Sequence, residues 1–151
     1  MPSGVNRVFL NSNVIISGLL SSKGAPRIIL DLLCLHLPNL QSVTGTYNML
    51  EIERNLARKL PAALTIFQEY FPRLNLEIIP LPAYEALVPW LGVTSEKDVP
   101  VIVSAINGKA DFLVTGDTRD FGALMHRDDL PFRVLTPAEF VVLVGQLLGQ
   151  Q

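Results

Sequence analysis

Short apolar runs alternate along this chain with longer segments whose apolar residues recur at helical spacing. Five of the short runs have the aliphatic and β-branched character of buried strands. Repeated strand–helix alternation is typical of a parallel sheet covered by helices on both faces. We therefore predict an α/β fold in three layers, α/β/α, around a central and mainly parallel five-stranded sheet. The predicted strands cover residues 5–10, 40–43, 76–79, 112–115 and 133–135.

Capping and helix-breaking residues divide the other segments into predicted helices. Asn13 is a candidate N-cap for the first helix, and Asp98 is one for a later helix that tolerates Pro100 in its first turn. The second helix is expected to open at Gly24-Ala25-Pro26 and to end before Pro38. No repeat or linker interrupts the chain, so we expect one domain over residues 1–151. The predicted helices cover residues 14–20, 26–37, 46–60, 61–71, 84–91, 99–107 and 137–148.

Composition supports a buried sheet and does not indicate a membrane-spanning segment. Hydrophobic residues make up 49% of the chain and mean hydropathy is +0.36, which suits strands buried on both faces. The apolar runs stay below the roughly 18 residues that a spanning helix needs. The opening Met1-Pro2-Ser3-Gly4 lacks the basic region and apolar core of an export signal, and the single Cys34 suits a reducing compartment. We therefore expect a cytoplasmic protein with no membrane contact.

Four polar segments stand at the ends of apolar runs or at the starts of helices. Asn11-Ser12-Asn13 follows the first predicted strand, and Thr115-Gly116-Asp117 follows the fourth. Asp98 begins a helix, and Glu51 or Glu53 lies on the third helix. In open α/β sheets, ligands collect beyond the carboxyl ends of the strands, where three of these segments should meet. Several carboxylates at one edge would repel each other unless a hard divalent cation such as Mg²⁺ or Mn²⁺ held them.

These residues, in this order, resemble the PIN domain, the ribonuclease domain shared by VapC-type toxins and many stand-alone bacterial proteins. The resemblance covers nearly the whole chain. It is carried by motifs that are each weak alone and specific together: Val8-Phe9-Leu10-Asn11-Ser12-Asn13-Val14, Leu50-Glu51-Ile52-Glu53-Arg54-Asn55-Leu56, Glu96-Lys97-Asp98-Val99-Pro100-Val101, Leu113-Val114-Thr115-Gly116-Asp117 and the closing Arg133-Val134-Leu135-Thr136-Pro137-Ala138-Glu139-Phe140.

The resemblance implies metal-dependent hydrolysis of RNA phosphodiester bonds, possible toxin function, an antitoxin partner and a homodimer. Mg²⁺ or Mn²⁺ would activate water and neutralise charge on the attacked phosphate. The implied roles are catalytic for Asn11, Glu51, Asp98 and Asp117; metal-binding for Asp98, Asp117 and Glu51; supporting for Asn13, Thr115 and Asp120; and RNA-binding for Arg54, Lys97 and Arg119. The net charge of −2 does not suggest tight, non-specific duplex binding, although clustered site carboxylates would themselves make the total acidic.

The second acid has two candidates. On a helical wheel Met49, Ile52, Leu56 and Leu60 share one face, and Glu53 falls inside that arc while Glu51 falls nearly opposite. Periodicity therefore favours Glu53 as the inward acid, whereas the family motif favours Glu51, which is the residue we predict.

The first position departs from the family pattern, because Asn11 stands where an aspartate is expected. An amide removes one negative charge from the predicted site, so metal binding and water activation should weaken. The chain is then an attenuated ribonuclease or, alternatively, a non-catalytic module that binds RNA or a protein partner through the same cleft. Phosphatase and receiver-domain folds need a nucleophilic aspartate after the first strand, a role that Asn11 cannot fill.

Overall fold

A computed structural model describes residues 4–149 of the chain, and its centre is a five-stranded sheet in which every pairing is parallel. The order β3-β2-β1-β4-β5 places β1 in the middle, and the chain adds strands first on one side of β1 and then on the other. The predicted sheet is confirmed. Residues 1–3, part of the tetrapeptide examined for an export signal, lie outside the described residues. The strands are β1 (Asn6–Leu10), β2 (Leu40–Gly45), β3 (Glu77–Ile79), β4 (Phe112–Val114) and β5 (Arg133–Leu135).

Helices cover both faces of this sheet. Alternate residues of β1 point to opposite faces: Val8 and Leu10 pack into a core with the first four helices and the last one, and Phe9 packs into a core with the sixth and seventh. None of the helices within residues 4–149 combines the length and the apolar character needed to cross a bilayer. The helices are α1 (Ser12–Leu20), α2 (Ala25–Leu33), α3 (Thr46–Lys59), α4 (Pro61–Tyr70), α5 (Tyr84–Leu87), α6 (Val99–Asn107), α7 (Thr118–Phe121) and α8 (Pro137–Leu148), with 3-10 turns at Phe71–Leu74, Val88–Trp90, Glu96–Asp98 and Gly122–His126.

Three helix boundaries differ from the prediction. The first helix begins at Ser12 and its N-cap is Asn11, not Asn13, because the Asn11 side chain accepts a hydrogen bond from the Ser12 amide. The second helix ends at Leu33 instead of continuing towards Pro38, since His36 adopts a left-handed φ of 52° that a right-handed helix cannot include. The segment predicted as one helix over residues 84–91 divides into α5 and a 3-10 turn, because Pro89 lacks the amide that would bond back to Glu85.

Helix α7 and the 3-10 turn after it were not predicted. Four-residue and five-residue helical turns are too short to produce an apolar period in the sequence, and the single turn of α7 is stabilised locally. Asp117 is its N-cap and accepts a hydrogen bond from the Asp120 amide at 3.0 Å. This local bond brings Asp120 back towards the end of β4, close to Asp98 and Asp117.

Candidate functional site at the carboxyl end of the sheet

Three adjacent strands deliver polar residues to one edge of the sheet. β1 ends at Leu10 and is followed by Asn11; β4 ends at Val114 and is followed by Thr115; β2 ends at Gly45 and leads directly into α3. The change of direction in strand order falls between β1 and β4, where parallel sheets of this kind leave a crevice. The first and fourth polar segments therefore lie next to each other, as predicted.

Three carboxyl groups meet at this crevice. Asp98, Asp117 and Asp120 each offer an oxygen, and these oxygens all lie within 4.8 Å of one another. Asp98 is buried, whereas Asp117 and Asp120 are half-buried and open to solvent on one side. We refer to these three residues as the acid cluster. The sequence predicts Asp98 and Asp117 as metal ligands and Asp120 only as a supporting residue. In the structure Asp120 is as much a part of the cluster as the other two acids.

Asp98 occupies the N-cap position of α6 but its carboxyl group does not cap the helix. It accepts a hydrogen bond from the Ser95 hydroxyl at 2.5 Å, and the pKa of Asp98 is raised, mainly because burial disfavours the charged form. The pKa of Asp120 is lowered, chiefly by its hydrogen bond with Asp98. Opposite shifts are the expected behaviour of neighbouring carboxyl groups whose titrations are coupled.

Lys97 supplies a positive charge to the acid cluster. Its Nζ lies 3.6 Å from Oδ2 of Asp98 and 3.5 Å from Oδ2 of Asp120. The pKa of Lys97 is raised, first by Asp98 and further by Asp120 and Asp117. The lysine side chain is nevertheless 67% exposed, so the ammonium group approaches the acids from the solvent side.

Asn11 is buried, and both the oxygen and the nitrogen of its side chain are hydrogen-bonded. Its Oδ1 accepts from the Ser12 amide at 2.8 Å and from Nδ2 of Asn48 at 3.1 Å, and its Nδ2 donates to the Thr115 hydroxyl oxygen at 3.0 Å. The Thr115 oxygen also accepts from the Asp117 amide at 3.1 Å. The first and fourth polar segments are thus joined through one threonine.

Asn13 strengthens the same connection. Its Oδ1 accepts from the Gly116 amide at 3.1 Å, and its Nδ2 lies 3.4 Å from the Thr115 hydroxyl oxygen. Asn13 and Thr115 therefore hold the loop that carries Asp117 against the start of α1.

Glu51 is not a member of the acid cluster. Its Oε1 accepts a hydrogen bond of 2.7 Å from the Ser12 hydroxyl, whereas Glu53 is exposed. The helical wheel favoured Glu53 as the inward-facing acid because it counted only apolar residues. The buried stripe of α3 consists of Asn48, Ile52 and Leu56, and the polar Asn48 extends it towards Glu51.

Some residues of the site were missed by sequence reasoning. Asn48 could have been found as a polar residue at four-residue spacing from Ile52, in line with the apolar stripe. Tyr47 had no comparable signal: its hydroxyl donates to the Lys97 carbonyl oxygen, and its pKa is raised by burial and then by Glu51 and Asp98. Tyr47 therefore lies between Glu51 on α3 and the Lys97-Asp98 segment.

The three cations assigned to RNA contact are all on the surface. Arg54 and Arg119 are exposed, as is Lys97, and only Lys97 is ion-paired with the acid cluster among the residues described. Arg54 lies close enough to oppose the rise in the pKa of Tyr47. The site is therefore acidic at its centre with positive charge at its rim.

The donor set of the acid cluster fits a hard divalent cation. Carboxylate oxygens are the ligands that Mg²⁺ and Mn²⁺ prefer, and the group contains neither the imidazole nor the thiolate typical of zinc. Lys97 already places a monovalent cation against two of the three acids, which reflects the negative charge concentrated there.

Comparisons with known proteins agree with the predicted family. A family model described as PIN domain matches residues 7–119. The fold is similar to that of a chain in the structure of VapBC2 from Rickettsia felis bound to a DNA fragment from their promoter, with a TM-score of 0.64, 18% identity and coverage of 86% of this chain and 98% of the other. It is also similar to a chain of DNA-bound VapBC from Salmonella typhimurium, with a TM-score of 0.64, 14% identity and coverage of 88% and 99%. For VapBC-1 from nontypeable Haemophilus influenzae the TM-score is 0.60, the identity 16% and the coverage 87% and 98%. No curated protein sequence matches this chain.

Proposed function

The chain belongs to the PIN domain family, and from this premise we propose that it is a metal-dependent endoribonuclease that hydrolyses RNA phosphodiester bonds. The observation that carries the proposal is the acid cluster, in which oxygens of Asp98, Asp117 and Asp120 lie within 4.8 Å of one another at the carboxyl edge of the sheet. Such a cluster at that edge is where a hydrolase of this fold would hold its cation.

Mg²⁺ or Mn²⁺ at this site would supply charge neutralisation at the attacked phosphate and a more acidic water. Asp98 and Asp117 are the proposed metal ligands with Asp120 as a third acid. Glu51, which accepts a hydrogen bond from Ser12, is the acid that we propose binds metal or orients the attacking water. Asn13 and Thr115 keep the Asp117 loop in place, and Arg54, Lys97 and Arg119 provide the charges that meet RNA phosphates.

Asn11 is the reason to expect weak activity. The neutral amide leaves the site with one negative charge fewer than an aspartate would provide, so affinity for a divalent cation falls and water activation is less efficient. The hydrogen bonds around Asn11 indicate that the fold does not require the amide. Two of the three contacts, from Ser12 and Asn48, are donated to its oxygen, and the third is to the Thr115 hydroxyl, which can donate to a carboxylate instead.

The proposal is tested by restoring the acid. Asn11→Asp should raise the rate of Mn²⁺-dependent cleavage of single-stranded RNA by about 10- to 100-fold, the range by which changing a residue that supports a metal site alters metal affinity or activity. Asp98→Ala in the restored protein should abolish that cleavage, and Glu53→Gln should leave it unchanged. Cleavage is measured on a fluorescent RNA with and without EDTA. Failure of the restored protein to cleave RNA under any divalent cation, together with no Mn²⁺ binding by calorimetry, would contradict the enzyme proposal.

One observation favours a second candidate, a non-catalytic PIN module that binds RNA or a protein partner through the same cleft. Asn11 is neutral and Lys97 offsets part of the remaining charge, a combination compatible with a surface that binds without hydrolysing. Retained RNA affinity, no cleavage with any metal and indifference to Asn11→Asp would identify this function.

The partners we propose are an antitoxin and a second copy of the chain. The similar structures are of VapBC proteins, and this likeness supports a toxin that is held by a small antitoxin. The segment that includes α5 exposes the apolar side chains of Leu81, Tyr84, Val88 and Leu91, an area suited to protein contact. Light scattering of the purified chain would show twice the monomer mass if the dimer forms, and co-expression with the product of a neighbouring gene tests the antitoxin.

A further inference from the structure

Lys97 is placed so that its ammonium group occupies space next to the oxygens that the proposed cation would use. Nζ contacts Oδ2 of Asp98 and Oδ2 of Asp120 at nearly equal distances, 3.6 and 3.5 Å. Both acids belong to the acid cluster. A single tethered cation thus bridges two of the three residues that a divalent cation would draw together.

The backbone of Lys97 is fixed while its side chain is free to move. The Tyr47 hydroxyl donates to the Lys97 carbonyl oxygen at 2.5 Å, and the following residue is held by a bond from the Asp98 amide to the Ser95 carbonyl oxygen at 2.9 Å. The side chain itself is 67% exposed. The ammonium group can therefore swing into solvent without any change in the fold.

Two cations cannot use the same carboxylate oxygens at full strength. A divalent ion close to Asp98 and Asp120 would repel the ammonium group, and the energy needed to displace Lys97 is subtracted from the affinity for the ion. Conversely, with no metal present the lysine relieves the repulsion among three neighbouring carboxyl groups.

We propose that Lys97 is a tethered counter-ion of the acid cluster, which holds Asp98 and Asp120 in the metal-free protein and is displaced when a divalent cation binds. Lys97 thereby sets the metal concentration at which the site fills. Once displaced, its ammonium group stands at the rim of the site, where it can meet an RNA phosphate. This inference rests on the proposed metal-dependent function and concerns the regulation of that same site.

The test compares Mn²⁺ affinity, measured by isothermal titration calorimetry, for the wild-type chain, Lys97→Met and Lys23→Met. Lys23 is exposed and follows α1 at the end remote from Ser12, so its substitution removes the same charge away from the acids. Lys97→Met should bind Mn²⁺ about five- to tenfold more tightly than wild type, the range expected for removing one solvent-exposed charge near the ion. Lys23→Met should stay within about twofold of wild type, and Lys97→Arg, which retains the charge, should do the same.

A second measurement follows the metal-free state. In EDTA, Lys97→Met should melt at a lower temperature than wild type and Lys97→Gln should behave likewise, and saturating Mn²⁺ should close the difference. Unchanged or weaker Mn²⁺ binding by Lys97→Met overturns the inference even if the chain cleaves RNA with Mn²⁺. Tighter binding by Lys97→Met, with no RNA cleavage by the Asn11→Asp protein, instead leaves the inference standing and counts against the ribonuclease proposal. No Mn²⁺ binding by either protein overturns the inference, whereas the ribonuclease proposal is decided by the Asn11→Asp protein.

Discussion

Asn11 lies in a set of hydrogen bonds that a carboxylate would satisfy equally well. The Ser12 amide and the Asn48 side chain both donate to it, and the Thr115 hydroxyl is able to donate. Burial of Asn11 is therefore not a reason to expect that the amide is needed for folding. The residue acts on the charge of the site and leaves the shape of the site unchanged.

Three of these hydrogen bonds converge on the hydroxyl oxygen of Thr115. Thr115 is fully buried, and its hydroxyl oxygen accepts from Asn11, from the Asp117 amide and, at longer range, from Asn13. Thr115→Val keeps the shape but leaves these donors without a partner, which should lower the free energy of unfolding by about 1–3 kcal/mol. Urea denaturation measures the change. Thr115→Ser retains the oxygen and serves as control; equal losses in the two variants would contradict the argument.

At the scale of elements, α1 and α2 cross at a glycine. A β-carbon on Gly18 would lie 2.6 Å from Cδ1 of Leu30 and 2.8 Å from the Pro26 carbonyl oxygen. The leucine side chain could move, but the carbonyl belongs to the backbone of the neighbouring helix. The close approach of these helices therefore depends on the absence of a side chain at this position.

Gly18→Ala should consequently destabilise the protein by about 1–3 kcal/mol, because the two helices must separate to admit a methyl group. Gly145→Ala provides a matched control in α8: position 145 is exposed and a β-carbon there meets nothing within 4 Å, so alanine should stabilise the helix by about 0.5–1 kcal/mol. Chemical denaturation of both variants gives the comparison. Similar effects with the same sign would show that helix propensity, and not packing, decides the outcome at Gly18.

Elements with a clear period or a clear capping residue could be predicted from the sequence, and those without could not. α8 begins after Thr136, whose capping box with Glu139 appears in the sequence as Thr-x-x-Glu. α7 has no such length or period, and the end of α2 depends on a left-handed His36, a conformation that no residue type at that position announces. The sequence predicts only a supporting role for Asp120, because the unpredicted helix α7 is what turns Asp120 back towards Asp98.

At the scale of the whole molecule, one guanidinium group ties together distant parts of the chain at the amino end of the sheet. Arg7 on β1 reaches across β2 to form two hydrogen bonds with the Glu77 carboxylate on β3, at 3.1 and 2.7 Å. Its Nε donates to the Gly108 carbonyl oxygen and its backbone amide to Asp111. These contacts lie at the end of the sheet opposite the acid cluster.

This contact predicts part of the pH dependence of stability. Folding lowers the pKa of Glu77 below its ordinary value of 4.5, mainly because of its hydrogen bonds with Arg7. The stability that the ionised Glu77 contributes is therefore fully present above about pH 4.5 and is lost as the pH falls through the lower pKa of the folded protein. Glu77→Gln should therefore flatten the loss of stability below pH 4.5. Urea denaturation at roughly pH 3 to 7 measures how the free energy of unfolding changes with pH in the wild type and in the variant. The exposed Glu53→Gln is the control and should keep the wild-type slope.

The sequence by itself determined the layers, the five parallel strands and the polar segments that follow β1 and β4, because strand pattern and strand-end position are local properties of the chain. The family motif favoured Glu51, but only the tertiary structure decided that Glu51 contacts Ser12, that Asp120 joins Asp98 and Asp117, and that Lys97 pairs with Asp98 and Asp120. These outcomes depend on how helices rotate when they pack and on contacts between residues far apart in sequence. A pattern read along one segment carries no information about either.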